Sequence, residues 1–177
     1  MNNINNTNLI IRANNYPKNT GLIKFAHQSI PCILGKNGIV SHKSEGDGAT
    51  PWGKFKILYG FYRSDRIRHL STKIKLFPLK KNFGWCDDIS SPLYNRFIKL
   101  PTNLRHENLW RNDHLYDICL VLDYNLHPRK RNSGSAIFFH LKHHDDRPTE
   151  GCIAISLQHM KKVLYSCDVH SHITIHL

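Results

Sequence analysis

The chain of 177 residues has no long apolar run, and nothing in it approaches the roughly 18 consecutive apolar residues of a membrane-spanning helix. Its first eight residues are polar and rich in asparagine, without the basic start and apolar stretch of a secretion signal. Internal repeats are also missing. These absences predict no membrane segment and a cytoplasmic location, or the periplasm or cell wall if another route exports the chain.

The five cysteines form no CxxC pair, and their odd number excludes a complete set of disulfides. This usage is typical of a reducing compartment rather than of a disulfide-stabilised secreted domain. Cys32 and Cys119 lie in apolar, strand-like runs and are expected in the core. Cys152 follows a glycine after a polar loop, and this setting makes it a candidate nucleophile.

The chain carries 25 Lys and Arg against 13 Asp and Glu, a formal net charge of +12. Such an excess favours an anionic partner, such as nucleic acid, a membrane surface or a substrate that bears carboxylates. The basic residues are dispersed, however, and no nucleic-acid-binding motif is present. We predict no nucleic-acid partner. A basic nucleic-acid-binding β domain is kept as a weak alternative, which would bind any polynucleotide with strong salt dependence.

Short apolar runs rich in β-branched and aromatic residues, separated by turn residues, predict a mainly β fold. The near-continuous apolar runs at 117–124 and 135–141 are typical of buried central strands. Ser156 is a candidate N-cap for one main helix that runs to Cys167. The sequence thus predicts a single β-sandwich-like domain over residues 1–177, with one main helix after Cys152.

Segment 64–113 differs from the rest of the chain by its weak periodicity, its prolines and its polar aromatic residues. A long segment of this kind inside a compact domain is usually a functional insertion rather than a linker. We expect an irregular insertion that packs beside the active site and shapes the substrate groove.

The stretch 135–155 reads as a strand, a polar loop and a second strand, which brings a thiol and an imidazole to one edge of a sheet. A free thiol has a pKa of about 8.5 and is only slightly ionised at neutral pH. The nucleophile Cys152 therefore needs a base, and His140 is the candidate. Because glycine lets the backbone approach closely, the amides of Gly151 and Cys152 are candidate donors of an oxyanion hole.

Two parts of the chain resemble the YkuD-like family of L,D-transpeptidase catalytic domains. The first is Lys43-Ser-Glu-Gly-Asp-Gly-Ala-Thr-Pro-Trp-Gly-Lys-Phe55, similar to a Gly-Asp and Thr-Pro-x-Gly-x-Phe segment that leads into a strand. The second is Gly134-Ser-Ala-Ile-Phe-Phe-His140 followed by Thr149-Glu-Gly-Cys-Ile-Ala154. The resemblance spans about residues 20–165. Glu150 and Ala154 stand where the family commonly has His and where it often has Arg or Asn, which leaves the substrate preference open.

The resemblance implies an enzyme that forms a thioacyl-enzyme at Cys152, with His140 as base and the backbone carbonyl of Leu141 orienting the imidazole. Its donor would be a peptidoglycan stem tetrapeptide, cleaved at the L,D bond between diaminopimelate and D-alanine. Transfer to an amine of another stem makes an L,D-transpeptidase. Transfer to water makes an L,D-carboxypeptidase that releases D-alanine from muropeptides in recycling. Carbapenems are expected to acylate the same thiol, and no cofactor is implied.

Candidate substrate-binding residues belong to the motif loop and to the run that ends the insertion. They are Trp110, His114, Tyr116, Arg147, Thr149 and Glu150. Arg63, Arg111 and Arg147 are basic candidates for holding the carboxylates of a stem peptide. Glu150 could hold a substrate amine or position His140, although a solvated loop carboxylate is an equally good interpretation.

The histidines and acids near the motif leave a zinc hydrolase as a weaker alternative. The zinc-type ligands are His140, His143, His144, Asp145, Asp146 and Cys152. Their order matches no reliable ligand spacing, and a strand-end His-x-x-His-His does not easily aim three imidazoles at one ion. We therefore predict no metal site.

Overall fold

A nine-stranded main sheet, a three-stranded small sheet, a two-stranded pair and one helix form the protein in a computed structural model that describes residues 7–177. Residues 1–6, on which the predicted absence of a secretion signal partly rests, lie outside the described residues. The elements are β1 (Leu9–Ala13), β2 (Thr20–Phe25), β3 (Gln28–Ile33), β4 (Ile39–Val40), β5 (Thr50–Pro51), β6 (Gly53–Tyr62), β7 (Leu76–Pro78), β8 (Phe83–Cys86), β9 (Arg96–Lys99), β10 (His106–Asn108), β11 (Ile118–Leu122), β12 (Phe138–Leu141), β13 (Ile153–Ile155), α1 (Leu157–Ser166) and β14 (His172–His176). Within the described residues, no helix is both long and apolar enough to cross a membrane.

The strands of the main sheet differ in their burial, as their sequences indicate. Buried and exposed residues largely alternate along β1 and β2, whereas every residue of β11 and β12 is buried. The predicted burial of these two strands is thus confirmed. β12 begins at Phe138 rather than at Ser135, because Ala136 has a φ of 51° and interrupts the extended backbone.

The main sheet runs in the order β11-β12-β13-β3-β2-β1-β14-β6-β7, with an additional pairing between β6 and β11. The long strand β6 pairs with β14 over Gly53–Lys56 and with β11 over Ile57–Tyr62. The pairings therefore close into a ring whose opposite sides enclose the core, and β7 extends the sheet outside this ring. The predicted mainly β fold with one main helix is confirmed.

The helix begins where the sequence places its start. The Ser156 side chain accepts a hydrogen bond from the amide of His159, and Cys167 caps the other end. Met160, Val163 and Leu164 form the buried face that packs into the larger core cluster.

The insertion is more regular than predicted, because β8, β9 and β10 form a small antiparallel sheet in the order β10-β8-β9. Strands of three or four residues are too short to show periodicity in a sequence. Trp85 of β8 packs edge to face on Phe138 of β12, with the ring centroids 5.1 Å apart. The small sheet thus covers the part of β12 that leads to His140.

Two apolar clusters form the core, and the candidate nucleophile lies at the second. The larger cluster fills the ring, while the second includes Phe61, Trp85, Tyr116 and Phe138 beneath the small sheet. Cys152 packs against this second cluster. All five cysteines are free, and Cys152 alone among them is partly exposed.

Candidate active site

Cys152 and His140 come from adjacent parallel strands and share one face of the main sheet. The register pairs His140 with Ala154 and Phe139 with Ile153. Because side chains alternate along a strand, Cys152, two residues before Ala154, shares the face of His140. Both side chains line one cavity of about 470 Å³.

The Cys152 thiol is held against the backbone that leads into β12. Its S–H donates to the carbonyl of Ala136 at 3.1 Å, and the amide of Phe138 donates to Sγ at 3.3 Å. Burial raises the pKa of the Cys152 thiol to about 12, against a smaller opposite effect of the Phe138 amide. The resting group is therefore a neutral thiol, which needs a base at the moment of attack.

The His140 imidazole is buried and fixed by the carbonyl of the next residue. Nδ1 lies 2.8 Å from the carbonyl oxygen of Leu141, so that nitrogen carries the proton and donates it. Burial lowers the pKa of His140 to about 4, although the hydrogen bond with Leu141 acts in the opposite direction. The ring is thus neutral at pH 7, and its unprotonated Nε2 is free to act as a base.

The loop before Cys152 is organised by the side chain of Thr149. Its hydroxyl accepts from the amide of Gly151 at 3.2 Å and donates to the carbonyl of Cys152 at 2.7 Å. Backbone hydrogen bonds from Thr149 to Leu34, and from Lys36 back to Thr149, tie the loop to the end of β3. The Thr149 hydroxyl therefore helps to position Cys152. The Gly151 amide was an expected donor of the oxyanion hole, but it already donates its hydrogen bond to the Thr149 hydroxyl.

Gly151 has no room for a side chain. Its φ is +137°, and a Cβ at this position would lie 2.7 Å from the carbonyl oxygen of Ala49. The requirement for glycine next to the nucleophile is thus set by contact with the first motif, as well as by the backbone conformation.

The first motif folds as a loop around Asp47. The carboxylate accepts from the amides of Ser44 and Ala49 at 2.8 and 2.9 Å and from Nζ of Lys43. Burial raises the pKa of Asp47, but these hydrogen bonds outweigh it and hold the pKa below its usual value. The loop presses Ala49 against Gly151 and buries the Lys43 side chain beside the cavity.

The cavity wall is rich in charge and slightly acidic, in contrast to the strongly basic chain. Five carboxylates and four permanent cations line it: Glu45, Asp87, Glu107, Asp113 and Glu150, with Lys43, Arg105, Arg111 and Arg147. Most of these carboxylates, namely Asp87, Glu107 and Asp113, belong to the insertion, so the insertion forms part of the cavity wall.

One part of this wall reaches the imidazole through a chain of contacts. Arg111 is held between Glu107 at 3.0 Å and Asp113 at 2.5 Å. Tyr116 donates its hydroxyl to Glu107 at 3.1 Å and packs its ring edge to face on His140, with the centroids 5.1 Å apart. Burial raises the pKa of both Glu107 and Tyr116. The wall thus supports one side of the His140 ring.

The remaining candidate substrate residues lie in different places. Glu150 is exposed and pairs with Lys36 at 2.8 Å, and Arg147 lies at the cavity rim against Asp145. His114 pairs with Asp117 at 2.7 Å, and Trp110 lies under the Arg63 guanidinium at 3.7 Å. Neither His114 nor Trp110 is among the residues that line the cavity. They belong to the network that anchors the end of the insertion.

Sequence reasoning identified Arg111 but not the acidic residues that the insertion contributes to the cavity wall. Asp87, Glu107 and Asp113 lie at least 39 positions before Cys152 in the sequence, and only the tertiary fold brings them to the cavity. The run 106–116 did carry a signal, since it holds acidic residues between aromatic ones.

The candidate zinc ligands do not converge with the nucleophile. His143, His144 and Asp145 each place one ligand atom within 4.8 Å of the others. Arg147 contacts both His143 Nε2 and the Asp145 carboxylate, so a guanidinium already occupies the position next to these ligands. Among the described residues, neither His140 nor Cys152 is part of this group.

A mainly β domain with a thiol and an oriented, neutral imidazole on one sheet face belongs to the class of candidate cysteine-dependent acyl-transfer domains. Comparison with known families makes the assignment specific: the sequence model of YkuD, the L,D-transpeptidase catalytic domain, matches residues 13–175, and the chain belongs to this family. The predicted family is thus confirmed.

Comparison with solved structures finds an L,D-transpeptidase from Mycobacterium smegmatis, 13% identical in sequence, with a TM-score of 0.42. The match covers 97% of this chain and 59% of the other, so the chain spans about three-fifths of that protein's length. No curated protein sequence matches the chain at a significant level.

Proposed function

We propose that the protein transfers acyl groups on peptidoglycan stem peptides, cleaving the L,D bond between diaminopimelate and D-alanine through a thioacyl-enzyme at Cys152. The observation that carries the proposal is that the Cys152 thiol and the His140 imidazole line the same cavity from one face of the sheet, with Nδ1 of His140 fixed on the carbonyl of Leu141. Membership of the L,D-transpeptidase family supports the class of reaction. That the substrate of this protein is a peptidoglycan stem peptide is our inference.

The chemical steps follow from the protonation states of the two groups. His140 Nε2 takes the thiol proton as Sγ attacks the carbonyl carbon of the diaminopimelate residue. The resulting oxyanion is stabilised by backbone amides at the start of β13, and we assign the first of these to Cys152, because the Gly151 amide donates to Thr149. Collapse breaks the C–N bond, His140 returns the proton to the leaving amine, and D-alanine departs.

The acyl acceptor decides the product. An amine of a second stem attacks the thioester to give a cross-link, while water gives a tripeptide, and His140 can accept the proton in either case. The charged, partly exposed cavity admits water, which supports hydrolysis as the alternative L,D-carboxypeptidase activity. The predicted cytoplasmic location would accompany the hydrolytic role and is still a prediction.

Incubation of the protein with a disaccharide tetrapeptide, with and without a second stem as acceptor, tests the proposal by mass spectrometry. Tripeptide with free D-alanine would identify a carboxypeptidase, and a cross-linked dimer would identify a transpeptidase. Release of no D-alanine under either condition would refute the proposed substrate.

Removal of the thiol or of the imidazole tests their assignment. Cys152→Ala and His140→Ala should abolish D-alanine release while circular dichroism shows the fold retained. Cys167→Ala, which removes a buried thiol at the far end of the helix, is the matched control and should keep turnover. Wild-type rates in either of the first two variants would overturn the assignment.

Carbapenem acylation gives a second readout of the same thiol. We expect a mass adduct of one carbapenem on the wild-type protein and none on Cys152→Ala. An unmodified wild-type protein would count against the proposed chemistry even if the peptide assay failed for lack of the right stem.

A further inference from the structure

The surplus of positive charge lies outside the catalytic cavity. Five carboxylates and four permanent cations line that cavity, whereas the whole chain carries a formal net charge of +12. The surplus cations therefore belong to other parts of the molecule. Positive charge placed away from the reaction centre points to an anionic partner other than the reacting groups.

A groove of about 470 Å³ lies where β6, the edge strand β7 and the small sheet meet, and we call it the aromatic groove. Leu58 of β6 and Phe77 of β7 are its most exposed apolar side chains, each 38% exposed. Within residues 7–177, Lys75 is the one charged residue that lines it, and Nζ of Lys75 lies 5.0 Å from the centroid of the Phe77 ring. Large apolar side chains that stay exposed together mark a contact surface.

The floor of the aromatic groove consists of rings that pack on one another. Tyr59 lies edge to face against Phe61 and Phe77, with ring centroids 5.5 and 5.9 Å apart. Phe83 lies edge to face against Phe97 at 4.8 Å. Because the rings use their edges and faces on each other, they form no open platform on which bases or sugar rings stack. An irregular apolar channel of this kind suits flexible alkyl chains.

The segments that build the groove carry positive charge alone. Strand β6, residues 75–86 and strand β9 contain seven Lys and Arg and neither Asp nor Glu. Lys80 and Lys81 lie in the turn between β7 and β8, and Lys99 is the cross-strand neighbour of Phe83. These three lysines and Lys75 are exposed, and none of the four forms an ion pair within the described residues. Their charges are therefore available to an anionic partner.

The aromatic groove shares a face of the main sheet with the nucleophile. The register pairs Phe77 with Phe61 and Phe61 with Cys119. Cys119 in turn pairs with His140, whose face Cys152 shares. Four strand spacings, on the order of 20 Å along the sheet, separate β7 from β13. A surface that contacts the groove would therefore fix the orientation of the catalytic cavity without entering it.

A second copy of the chain fits this surface poorly. In a symmetric dimer the same patch meets itself, so the lysines around two grooves would face each other. Like charges opposed across an interface weaken it. A partner that combines negative charge with alkyl chains matches both the lysines and the apolar floor.

We propose that the aromatic groove docks the protein on the surface of a bilayer that contains anionic phospholipids. Leu58 and Phe77 enter the apolar layer beneath the headgroups, and the four lysines contact the phosphates. Docking of this kind is independent of the reaction at Cys152.

Flotation with lipid vesicles tests the docking surface. The two kinds of vesicle are phosphatidylcholine alone and an equimolar mixture of phosphatidylcholine and phosphatidylglycerol. We expect the protein to bind the mixed vesicles only, and to bind them more weakly as salt is added, because exposed charges are screened. Equal binding to both vesicles, or binding to neither, would overturn the proposal.

Removal of lysines from the groove separates a local surface from net charge. The triple variant Lys75→Gln, Lys80→Gln and Lys81→Gln should weaken binding about a hundredfold, since each lysine near an anionic surface contributes roughly fivefold. The matched control removes the same charge from exposed lysines that do not line the groove, and should keep most of the affinity. These control positions are Lys24, Lys161 and Lys162. Equal losses in the two triple variants would overturn the assignment to the groove.

Insertion of the apolar side chains has its own readout. Phe77→Ser should weaken vesicle binding roughly tenfold while circular dichroism shows the fold retained. Phe77→Trp should be quenched by phospholipids with brominated acyl chains, above the background of the native tryptophans. Tyr165→Trp, at a 73% exposed position on the helix, is the control and should show no added quenching.

Other occupants would give different results. Equal quenching of the two tryptophan variants would contradict insertion at the groove. A dimer in analytical ultracentrifugation that Phe77→Ser abolishes, without vesicle binding, would assign the groove to a second copy and overturn the proposal. Binding to a single-stranded oligonucleotide but not to vesicles would overturn it as well.

Discussion

At the scale of single residues, the imidazole of His140 links activity to folding stability. Its folded pKa of about 4 lies below the usual value of about 6.5, because burial disfavours the charged ring. Between these pH values, the His140 ring is therefore protonated in the unfolded chain and neutral in the folded protein. The contribution of His140 to the free energy of unfolding is fully present above pH 6.5 and is lost as the pH falls towards 4.

Replacement of His140 by Asn should therefore flatten the pH dependence of stability. The free energy of unfolding of the wild-type protein should fall between pH 6.5 and 4 by about 3 kcal/mol more than that of His140→Asn, at about 1.4 kcal/mol per pKa unit. Urea unfolding at a series of pH values measures both proteins, and other titrating groups act equally in the two. Parallel curves would show that the ring is not buried in its neutral form.

Gly151 combines a backbone requirement with a steric one, and the chain offers a glycine that has only the first. Gly151→Ala should cost at least 1–3 kcal/mol for the positive φ, with a further cost from the contact with Ala49. Gly46→Ala, with a φ of +74° and open space around its Cβ, should cost only the backbone part. Urea unfolding compares them, and equal losses would argue against the close approach.

At the scale of elements, the loop between β12 and β13 depends on the Thr149 hydroxyl. Thr149→Val removes an acceptor for Gly151 and a donor to Cys152, so we expect a stability loss of about 1–3 kcal/mol and a larger proportional loss in acylation rate. The carbapenem acylation rate measures the second effect. Thr149→Ser keeps the hydroxyl and should restore most of the rate, whereas failure to do so would indicate a purely steric role.

Sequence patterns predicted some of the strands and the helix but missed other elements. The apolar runs of β11 and β12 and the N-cap Ser156 each predicted an element that the structure contains. The short strands of the insertion were not predicted, because their formation depends on packing, such as that of Trp85 on Phe138, rather than on a periodic pattern in the sequence.

At the scale of the whole molecule, the last strand closes the ring. β14 lies between β1 and β6, and its Ile173 and Ile175 are fully buried. Removal of residues 172–177 should unfold the protein, since two buried isoleucines contribute about 3–6 kcal/mol and two strand pairings are lost with them, against a typical total of 5–15 kcal/mol.

Removal of Leu177 alone, which is 70% exposed, is the control for this truncation and should leave the melting temperature nearly unchanged. Circular dichroism during heating follows both proteins. A cooperative transition retained after loss of the whole strand would mean that the ring does not depend on closure between β1 and β6.

Local features can be predicted from the amino-acid sequence alone: which runs form buried strands, where the helix begins, and that a thiol and an imidazole flank one loop. These depend on periodicity, capping and turn chemistry within a few residues. The tertiary structure was needed to show that Glu107 and Asp113 line the same cavity as Cys152, that Trp110 and His114 do not line it, and that burial keeps the thiol and the imidazole neutral. Those properties arise from burial and from contacts between distant segments, which no local pattern encodes.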